Sequence, residues 1–400
     1  MDAAHVTGLV RRLGLGDTVV VGLGAMIGAG VFSAFAPAAA AAGSGLLVGL
    51  AIAALVAYCN ATSSARLAAL YPTSGGTYVY GRERLGPFWG YLAGWSFVVG
   101  KTASCAAMAL TVGLHVWPER AHLVAVAAVV LLTALNYVGV KKAARVIVAT
   151  VLVVLAVVVV TGLGSSAVDL GNLGVAGGFG VLEAAGLLFF AFAGYARVAT
   201  LGEEVRDPVR TIPRAISIAL VITLFVYAAV GVTVLSVLGP ARLAESKAPL
   251  VDVVVAAGVP GLAPVVTVGA ALAALGALLA LILGVSRTVL AMARDRHLPG
   301  ALAVVHPRFS VPHRAELVVG AVVAIAAGFA DLRGVIGFSS FGVLLYYAIA
   351  NASAWTLGSR RVVPVVGLLG CVVLACTLPV VSVLSGAAVV VVGIVLYAVR

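Results

Sequence analysis

The chain has 400 residues, of which 63% are hydrophobic and only 10% are charged. A soluble domain is closer to half apolar and about a quarter charged, so this composition excludes a soluble globular domain and predicts a protein that crosses a membrane several times. The formal net charge of +11 would indicate nucleic acid in a soluble protein, but here the positions of the basic residues explain it.

Twelve apolar runs are long enough to cross a bilayer, which requires roughly 20 apolar residues. The predicted spans are residues 17–41, 46–69, 85–112, 122–139, 145–164, 179–200, 213–238, 261–293, 315–331, 334–357, 362–379 and 382–399. The first run is too long for the apolar part of a signal peptide, so it is interpreted as a span. Residues 239–260 are interpreted as a surface loop with a short interfacial helix.

Most of the 25 Lys and Arg residues lie in segments on the same side of the membrane as the N-terminus. The loops on the other side contain only Arg120, Arg242, Lys247 and Arg333. Because cytoplasmic loops are enriched in Lys and Arg, the pattern predicts that both termini are cytoplasmic, and no nucleic-acid partner is expected. The excess of Arg over Lys, with abundant Ala, Val and Gly, suggests a GC-rich bacterial genome and hence a bacterial cytoplasmic membrane.

The first span contains the stretch GLGAMIGAGVF, with four glycines between Gly22 and Gly30. Glycine costs roughly 1 kcal/mol against alanine inside a helix, but it permits the backbone angles that a helix break needs. Some transporters bind substrate on interrupted helices at the bilayer midplane. Two alternatives are close helix packing through the Gly24 and Gly28 pair, and a dinucleotide loop, which lacks its strand–helix–strand surroundings here.

A second interruption is predicted in span six, where Gly194 lies among Phe189, Phe190, Phe192 and Tyr195. Spans one and six occupy corresponding positions in two halves of five spans each. Interrupted segments at corresponding positions of two halves indicate a binding site between inverted repeats.

Four segments in consistent order resemble the motifs of the amino acid–polyamine–organocation transporters. These are GLGAMIGAGVF, YPTSGGTYVYGRERLGPFWGYLAGW, FFAFAGY through EEVRDPVRTIPRAI, and SRTVLAMARDRHLP. The resemblance implies an all-α membrane protein with a leucine-transporter-like five-plus-five inverted repeat, broken helices one and six, and two further helices. The single domain would comprise repeat one (17–164), repeat two (179–357) and additional helices at 362–399. It also implies secondary transport of amino acids or related amines.

Carried over residue by residue, the resemblance places the substrate carboxylate near one helix break and the substrate amino group at carbonyls of the other. The implied binding residues are Ala25, Met26, Ile27, Gly28, Ala29, Gly30, Phe189, Phe190, Phe192, Gly194 and Tyr195. Phe192 would cover the substrate as a gate; the alternative for this residue is ordinary helix packing.

Three positions depart from relatives that carry cationic substrates or couple to protons. Ala196 and Gly100 occupy positions where cationic-amino-acid carriers have an acid, and Val154 occupies the position of a coupling lysine in span five. The sequence therefore favours neutral amino acids, with a cationic amino acid or amine transporter or antiporter of the same fold as the alternative.

Lys101 lies near the middle of span three, where a charge costs roughly 2.5–3.5 kcal/mol on insertion scales. We hypothesise that it couples proton movement to transport or neutralises a substrate carboxylate; the alternative is a structural lysine paired with helix-end carbonyls. Ser286 and Thr288 are not adjacent, as a sodium site of the wider fold would need, so proton coupling or exchange is favoured over sodium.

The ends of spans six and eight contain charged candidates for an inner gate. These are Arg197, Glu203, Glu204 and Arg287, with Phe192 as the aromatic gate. Their alternative role is structural pairing, and solvated pairs of this kind contribute only ~0–1 kcal/mol.

Functions of other classes find less support. The histidines lie in the N-terminal segment, loops or span ends, and no H-E-x-x-H or G-x-S-x-G motif occurs, so no enzyme activity, metal or cofactor is expected. All four cysteines lie in apolar segments and are interpreted as small hydrophobic residues. A channel would usually show a pore motif or rings of charge. A non-transporting amino-acid sensor or a membrane-embedded enzyme remains the alternative from another class. The expected partners of the transporter are membrane lipid, an amino-acid substrate and a proton.

Overall fold

The computed structural model describes residues 13–72, 75–138, 144–174, 178, 180–199, 201, 204–306, 309, 311–358 and 360–399. Within these ranges the chain is helical apart from its connections, and the β-pairing is limited to an isolated parallel bridge between Leu13 and Val205. The predicted all-α fold class is therefore confirmed for the described residues.

Seventeen α-helices are present in the described residues. They are α1 (Leu15–Met26), α2 (Ala29–Ser33), α3 (Phe35–Ala42), α4 (Leu46–Leu70), α5 (Thr77–Leu85), α6 (Pro87–Val116), α7 (Ala121–Val138), α8 (Ala144–Leu163), α9 (Gly180–Phe192), α10 (Ala196–Ala199), α11 (Pro208–Glu245), α12 (Pro249–Ala256), α13 (Ala263–Arg294), α14 (His313–Phe329), α15 (Leu332–Trp355), α16 (Val362–Cys376) and α17 (Val380–Ala398).

Ten helical stretches among the described residues are long and apolar enough to cross a membrane. They coincide with ten of the twelve predicted spans. The other two predicted spans correspond to α14 and α16, which have 17 and 15 residues and are shorter than the roughly 20 residues of a typical span. The count of twelve spans therefore stays a prediction.

The predicted loop at 239–260 differs from the observed chain. α11 continues to Glu245 across a kink at Gly239, whose φ of 70° is accessible to glycine without strain, and Pro240 follows directly. The predicted short helix is present as α12, with eight residues. Hydropathy alone missed the helical extension because Gly239 and Pro240 suggest a turn and are followed closely by the charged residues Arg242 and Glu245, although residues 241–245 are helical.

α6 lies inside the bundle and packs against α5, α7, α13, α14 and α15. Every residue from Gly100 to Gly113 is buried. Small side chains permit this packing: a methyl carbon added at Gly100 would lie 3.2 Å from the Cα of Gly342 on α15. The middle of span three, including Lys101, is thus enclosed by protein and does not face lipid.

The first predicted span is interrupted at Ile27 and Gly28. α1 ends at Met26, Ile27 has φ −81° and ψ 54°, Gly28 has φ −105° and ψ −133°, and α2 begins at Ala29. Span six changes character at the matching place, where α9 gives way to a 3₁₀ turn from Ala193 to Tyr195 before α10. Both predicted interruptions are therefore present, as an open break in span one and as a tightened turn in span six.

Candidate functional site

The two interrupted segments cross each other at close range. A methyl carbon added at Gly30 would lie 2.7 Å from the Cα of Ala191, and one added at Gly194 would overlap the carbonyl group of Ala25. Contacts this close leave room for glycine only. The glycine-rich stretches therefore bring the two backbones together at the point where both helices are interrupted.

The alternative role of the glycines, close helix packing, is also visible. A methyl carbon added at Gly28 would lie 2.7 Å from the Cβ of Ala277 on α13, and one at Gly24 would lie 3.2 Å from a methyl group of Val148 on α8. Interruption and close packing are thus combined in one stretch, and neither excludes the other.

Tyr227 of α11 joins the two interruptions. Its hydroxyl oxygen lies 2.6 Å from the carbonyl oxygen of Met26 and 3.0 Å from that of Ala191, and it shares its hydrogen between them. The tyrosine is fully buried. Carbonyl groups freed by a helix break are costly in a membrane interior unless a donor satisfies them, and Tyr227 supplies such a donor to both segments.

Replacing Tyr227 with phenylalanine is expected to lower the free energy of unfolding by about 1–3 kcal/mol, since two buried carbonyls lose their donor. Thermal unfolding of the purified protein in detergent measures the effect. Tyr58→Phe is the matched control, because Tyr58 is 55% exposed on the surface of α4. Equal melting temperatures for the two variants would contradict this role of Tyr227.

Lys101 forms a hydrogen bond with the interrupted segment of span six. Its Nζ donates a hydrogen bond to the carbonyl oxygen of Ala193 at 3.0 Å, and the hydroxyl of Tyr347 donates to the same oxygen at 3.3 Å. Lys101 is only 5% exposed. This is the contact expected of the structural alternative for Lys101, and it also places a buried amine directly at the helix break.

A small cavity of about 40 Å³ lies beside the crossing. Its lining residues come from α1, α6, the span-six segment and α13: Ala25, Phe97, Lys101, Ser104, Met108, Phe190, Ala193, Gly194, Ala196, Arg197, Ala277, Ala280, Leu281 and Gly284. This volume holds a few water molecules and is smaller than an amino acid requires. Substrate access therefore requires the surrounding helices to move apart.

The cavity brings together part of the predicted site. Ala25, Phe190 and Gly194 line it, as do Lys101 and Arg197. The other predicted binding residues lie in the surrounding shell. These are Met26, Ile27, Gly28, Ala29, Gly30, Phe189, Phe192 and Tyr195.

Aromatic packing explains why three of these side chains stay outside the cavity. Phe192, the predicted gate, packs edge-on against Tyr227 with ring centroids 5.0 Å apart. Phe189 packs edge-on against Tyr347 at 5.9 Å, and Tyr195 stacks on Tyr347 at 4.8 Å. In this conformation Phe190 is the aromatic residue of span six that faces the cavity.

The positions that depart from cationic-substrate and proton-coupled relatives have different surroundings. Ala196 lines the cavity, so the cavity lacks the negative charge that an acid at this position gives to carriers of cationic amino acids. Gly100 packs against Gly342, and Val154 is buried against Gly269 of α13. Among the described lining residues there is no carboxylate, whereas two cations, Lys101 and Arg197, are present.

Three of the charged gating candidates, Arg197, Glu204 and Arg287, interact with one another. Arg287 Nη1 donates to Glu204 Oε1 at 2.8 Å, and the side chains of this pair are 38% and 27% exposed. Arg197 interacts electrostatically with both of these groups. Glu203 lies outside the described residues. The segment that contains Glu204 is held by Leu13, whose N–H donates to the Glu204 carbonyl at 3.0 Å.

Ser286 and Thr288, whose spacing in the sequence argues against a sodium site, form hydrogen bonds within their own helix. Ser286 donates to the carbonyl of Ile282 at 2.8 Å, and Thr288 donates to that of Gly284 at 3.3 Å. No group of three His, Cys, Asp or Glu side chains suited to a metal ion occurs in the part of the chain that the structure describes.

Two further family motifs meet in a polar cluster at the ends of α5 and α13. The hydroxyl of Tyr78 donates to Asp295, and Arg82 Nη1 contacts the same carboxylate at 2.9 Å. His297 Nδ1 lies 2.8 Å from the Tyr78 oxygen. Burial and the neighbouring Asp295 raise the pKa of Tyr78 well above its ordinary value, so the hydroxyl stays protonated and acts as a donor that ties α5 to α13.

Several site residues were missed by sequence reasoning. On α6, Phe97, Ser104 and Met108 share the helix face of Lys101, because they lie four residues before it and three and seven after it. That spacing could have identified them. Tyr227 and Tyr347 carry no comparable signal, since their partners are distant in sequence.

Comparison with known proteins gives a consistent result. A sequence profile described as amino acid permease matches residues 17–375. An uncharacterized transporter of Mycobacterium tuberculosis is 70% identical, over 98% of this chain and 92% of that protein. The branched-chain amino acid permease BcaP of Bacillus subtilis is 27% identical, over 88% of this chain and 82% of that protein. Cationic amino acid transporter 7 of Arabidopsis thaliana, a chloroplastic protein, is 30% identical, over 86% of this chain and 65% of its own length.

Proposed function

This chain belongs to the amino acid permease family, and from that premise we propose that it transports neutral amino acids across the bacterial cytoplasmic membrane by alternating access. The observation that carries the proposal is the cavity between two interrupted helices, lined by backbone, aromatic and cationic groups. Interrupted helices offer unpaired backbone groups that can bind both ends of a zwitterion. The proposal includes an inverted repeat, which the two interruptions at corresponding positions support. It also includes twelve spans and cytoplasmic termini, which the distribution of Lys and Arg supports.

We propose that the substrate lies between the two interruptions. Its carboxylate would meet the backbone of residues 25–30, and its amino group would meet the carbonyls of residues 189–193. The Ala193 carbonyl supports this arrangement, because it already accepts a hydrogen bond from an ammonium group, that of Lys101. A substrate ammonium arriving there would compete with Lys101 for the same oxygen.

This competition gives Lys101 a role in coupling. Two cations at one carbonyl repel each other, so binding of the substrate ammonium would drive Lys101 either to release a proton or to pair with the substrate carboxylate. The first outcome couples substrate binding to proton release, whereas the second moves no proton and is compatible with exchange. Both are consistent with a lysine buried at the cavity. Arg197, Arg287 and Glu204 would form the inner gate, with Phe192 moving onto the substrate when the cavity fills.

The neutral-substrate proposal rests on charge. Lys101 and Arg197 both face the cavity, and no described lining residue is acidic. A cationic side chain would therefore meet like charge in a medium of low dielectric constant, which is unfavourable. The name of the plant relative favours cationic amino acids as the second candidate, while the name of the Bacillus relative favours branched-chain ones.

A thermal-shift screen of the purified protein against the twenty amino acids tests this choice. We expect neutral, apolar amino acids to raise the melting temperature, since a ligand present at 100 times its Kd contributes roughly 2.7 kcal/mol. The corresponding amino acid amides, which lack the carboxylate, serve as matched controls and are expected to have little effect. Stabilisation by arginine or lysine alone would overturn the neutral-substrate proposal.

Transport itself is tested with radiolabelled L-leucine in proteoliposomes. Saturable counterflow is expected for a carrier, whereas a channel would give bulk conductance. A sensor would bind leucine without counterflow, and an enzyme would convert it chemically.

A further inference from the structure

Glu316 is a buried acid that the site described above does not use. It lies in the first turn of α14 and is fully enclosed by protein. Neither of its carboxylate oxygens has a hydrogen-bond partner among the residues that the structure describes. Its environment thus differs from that of Glu204 and Glu183, which pair with Arg287 and Arg333 at 2.8 and 3.0 Å.

An ionised carboxylate without donors is costly in such a place. Transfer of a bare charge out of water is far more expensive than transfer of a neutral polar group, and buried charges are normally paired. Two processes remove the cost: the carboxylate accepts a proton, or a cation moves to it. Ionisable groups enclosed within membrane proteins commonly mark proton relays for this reason.

A cation is within electrostatic reach. Arg287 on α13 acts on Glu316 through its charge, while its guanidinium forms an ion pair with Glu204 at 2.8 Å. Arg287 thus acts electrostatically on two carboxylates on different elements and forms an ion pair with only one of them. An arginine keeps its own proton under all physiological conditions, so only the carboxylates can change their charge.

None of the other titratable groups on the elements packed against α14, including Arg294 of α13, forms a hydrogen bond with Glu316 among the described residues, although the buried Nδ1 of His313 one turn away also lacks a partner there. On its own helix, His313 packs against Tyr137 of α7 with ring centroids 6.1 Å apart, and Arg314 contacts the Ala301 carbonyl at 3.4 Å. On α6, Lys101 donates to Ala193. The 3₁₀ segment Gly300–Ala303 has no titratable side chain. The electrostatic partner of Glu316 is therefore Arg287.

We propose that Glu316 is a proton-binding site that alternates with Arg287 during transport, an inference that rests on the proposed function. In the conformation described, Arg287 holds Glu204 and Glu316 carries one proton on a carboxylate oxygen. When the inner gate opens, Arg287 leaves Glu204 and pairs with Glu316, and the O–H bond of Glu316 breaks to release that proton to water. When the inner gate closes again, Arg287 returns to Glu204 and Glu316 takes up a proton from water that enters from the outer side. Release on the inner side and uptake from the outer side then carry one proton across in each complete cycle.

Proton binding is tested without transport by infrared titration of the purified protein. The wild type is expected to show a carboxylic-acid carbonyl band at mildly acidic pH that disappears in Glu316→Gln and persists in the matched control Glu183→Gln. In Glu204→Gln, Arg287 loses its partner and is free to pair with Glu316, so the band is expected to weaken. Identical spectra for wild type and Glu316→Gln would overturn the proposal, whether or not the protein transports leucine.

Coupling is tested in proteoliposomes with L-leucine and a pH indicator trapped inside. Glu316→Gln is expected to retain leucine counterflow within about twofold of wild type and to lose leucine-driven proton movement. If this variant does not fold, Glu316→Asp decides, because the shorter side chain should shift the pH profile of uptake. An unchanged profile, or proton movement equal to wild type in Glu316→Gln, would overturn the inference. Absence of counterflow in the wild type would instead refute leucine transport. The infrared titration would then still test whether Glu316 binds a proton.

Discussion

Replacement of Lys101 with alanine is expected to reduce proton-driven amino acid uptake by at least about tenfold, equivalent to roughly 1.4 kcal/mol. The substitution removes the ammonium that donates to the Ala193 carbonyl at 3.0 Å and takes a charge from the cavity. The cavity then loses the group that competes with the substrate amine. The measurement is initial uptake of radiolabelled leucine into proteoliposomes under an imposed pH gradient.

Two further variants separate the possible roles of Lys101. Lys247→Ala, in an exposed position of an external loop by our topology, is the matched control and should behave as wild type. Lys101→Arg retains the positive charge but has no proton to release. Uptake by Lys101→Arg that no longer depends on pH would identify Lys101 as a coupling group, whereas normal pH dependence would identify it as a charge that neutralises the substrate. Uptake by Lys101→Ala with the pH dependence of wild type would contradict the coupling role.

Much of the fold was predictable because membrane helices are specified locally. Each spanning segment satisfies its own backbone groups, so a run of apolar residues is sufficient to identify it, as it did for ten stretches. The interruption at Gly28 was predictable for the same reason, since glycine in mid-membrane has a local cost that demands an explanation. α14 shows the limit of this local reasoning. The sequence predicts a span at 315–331, but α14 has only 17 residues and contains Arg314 and Glu316 in its first turn, so it is shorter than a typical span.

The candidate site was only partly predictable because its contacts are not local. Nothing in the sequence near Tyr227 indicates that its hydroxyl meets two carbonyls 36 and 201 residues away. Likewise, Phe190 and Phe192 are equivalent in a sequence motif, and only the position of Tyr227 determines that Phe192 is packed away while Phe190 lines the cavity.

Glu316 illustrates a different failure. In the sequence it stands at the start of a span, where a carboxylate is expected to reach water. The surrounding helices α6, α7 and α13 pack against α14 and enclose it. Burial of a terminal residue depends on how neighbouring elements are arranged in space, and hydropathy does not contain that information.

Replacement of Gly194 with alanine is expected to abolish transport and to destabilise the protein by more than the about 1–3 kcal/mol usual for an overpacked core. The added methyl group would overlap the carbonyl of Ala25, and a backbone atom cannot turn away as a side chain does. The two interrupted segments must then separate, and the cavity between them loses its shape. Gly30→Ala, which places a methyl carbon 2.7 Å from the Cα of Ala191, is expected to act in the same direction.

Gly284→Ala is the matched control for these glycine variants, because it adds the same methyl group to a residue that also lines the cavity. Its nearest neighbour would be the Cδ of Arg197 at 3.9 Å, an ordinary contact, and alanine is the better helix former by about 1 kcal/mol. Thermal unfolding and leucine counterflow should therefore be close to wild type for Gly284→Ala and severely impaired for Gly194→Ala. If both variants were equally stable and active, the two interrupted backbones could not be in contact in the transporting protein, and the site built on their crossing would have to be rejected.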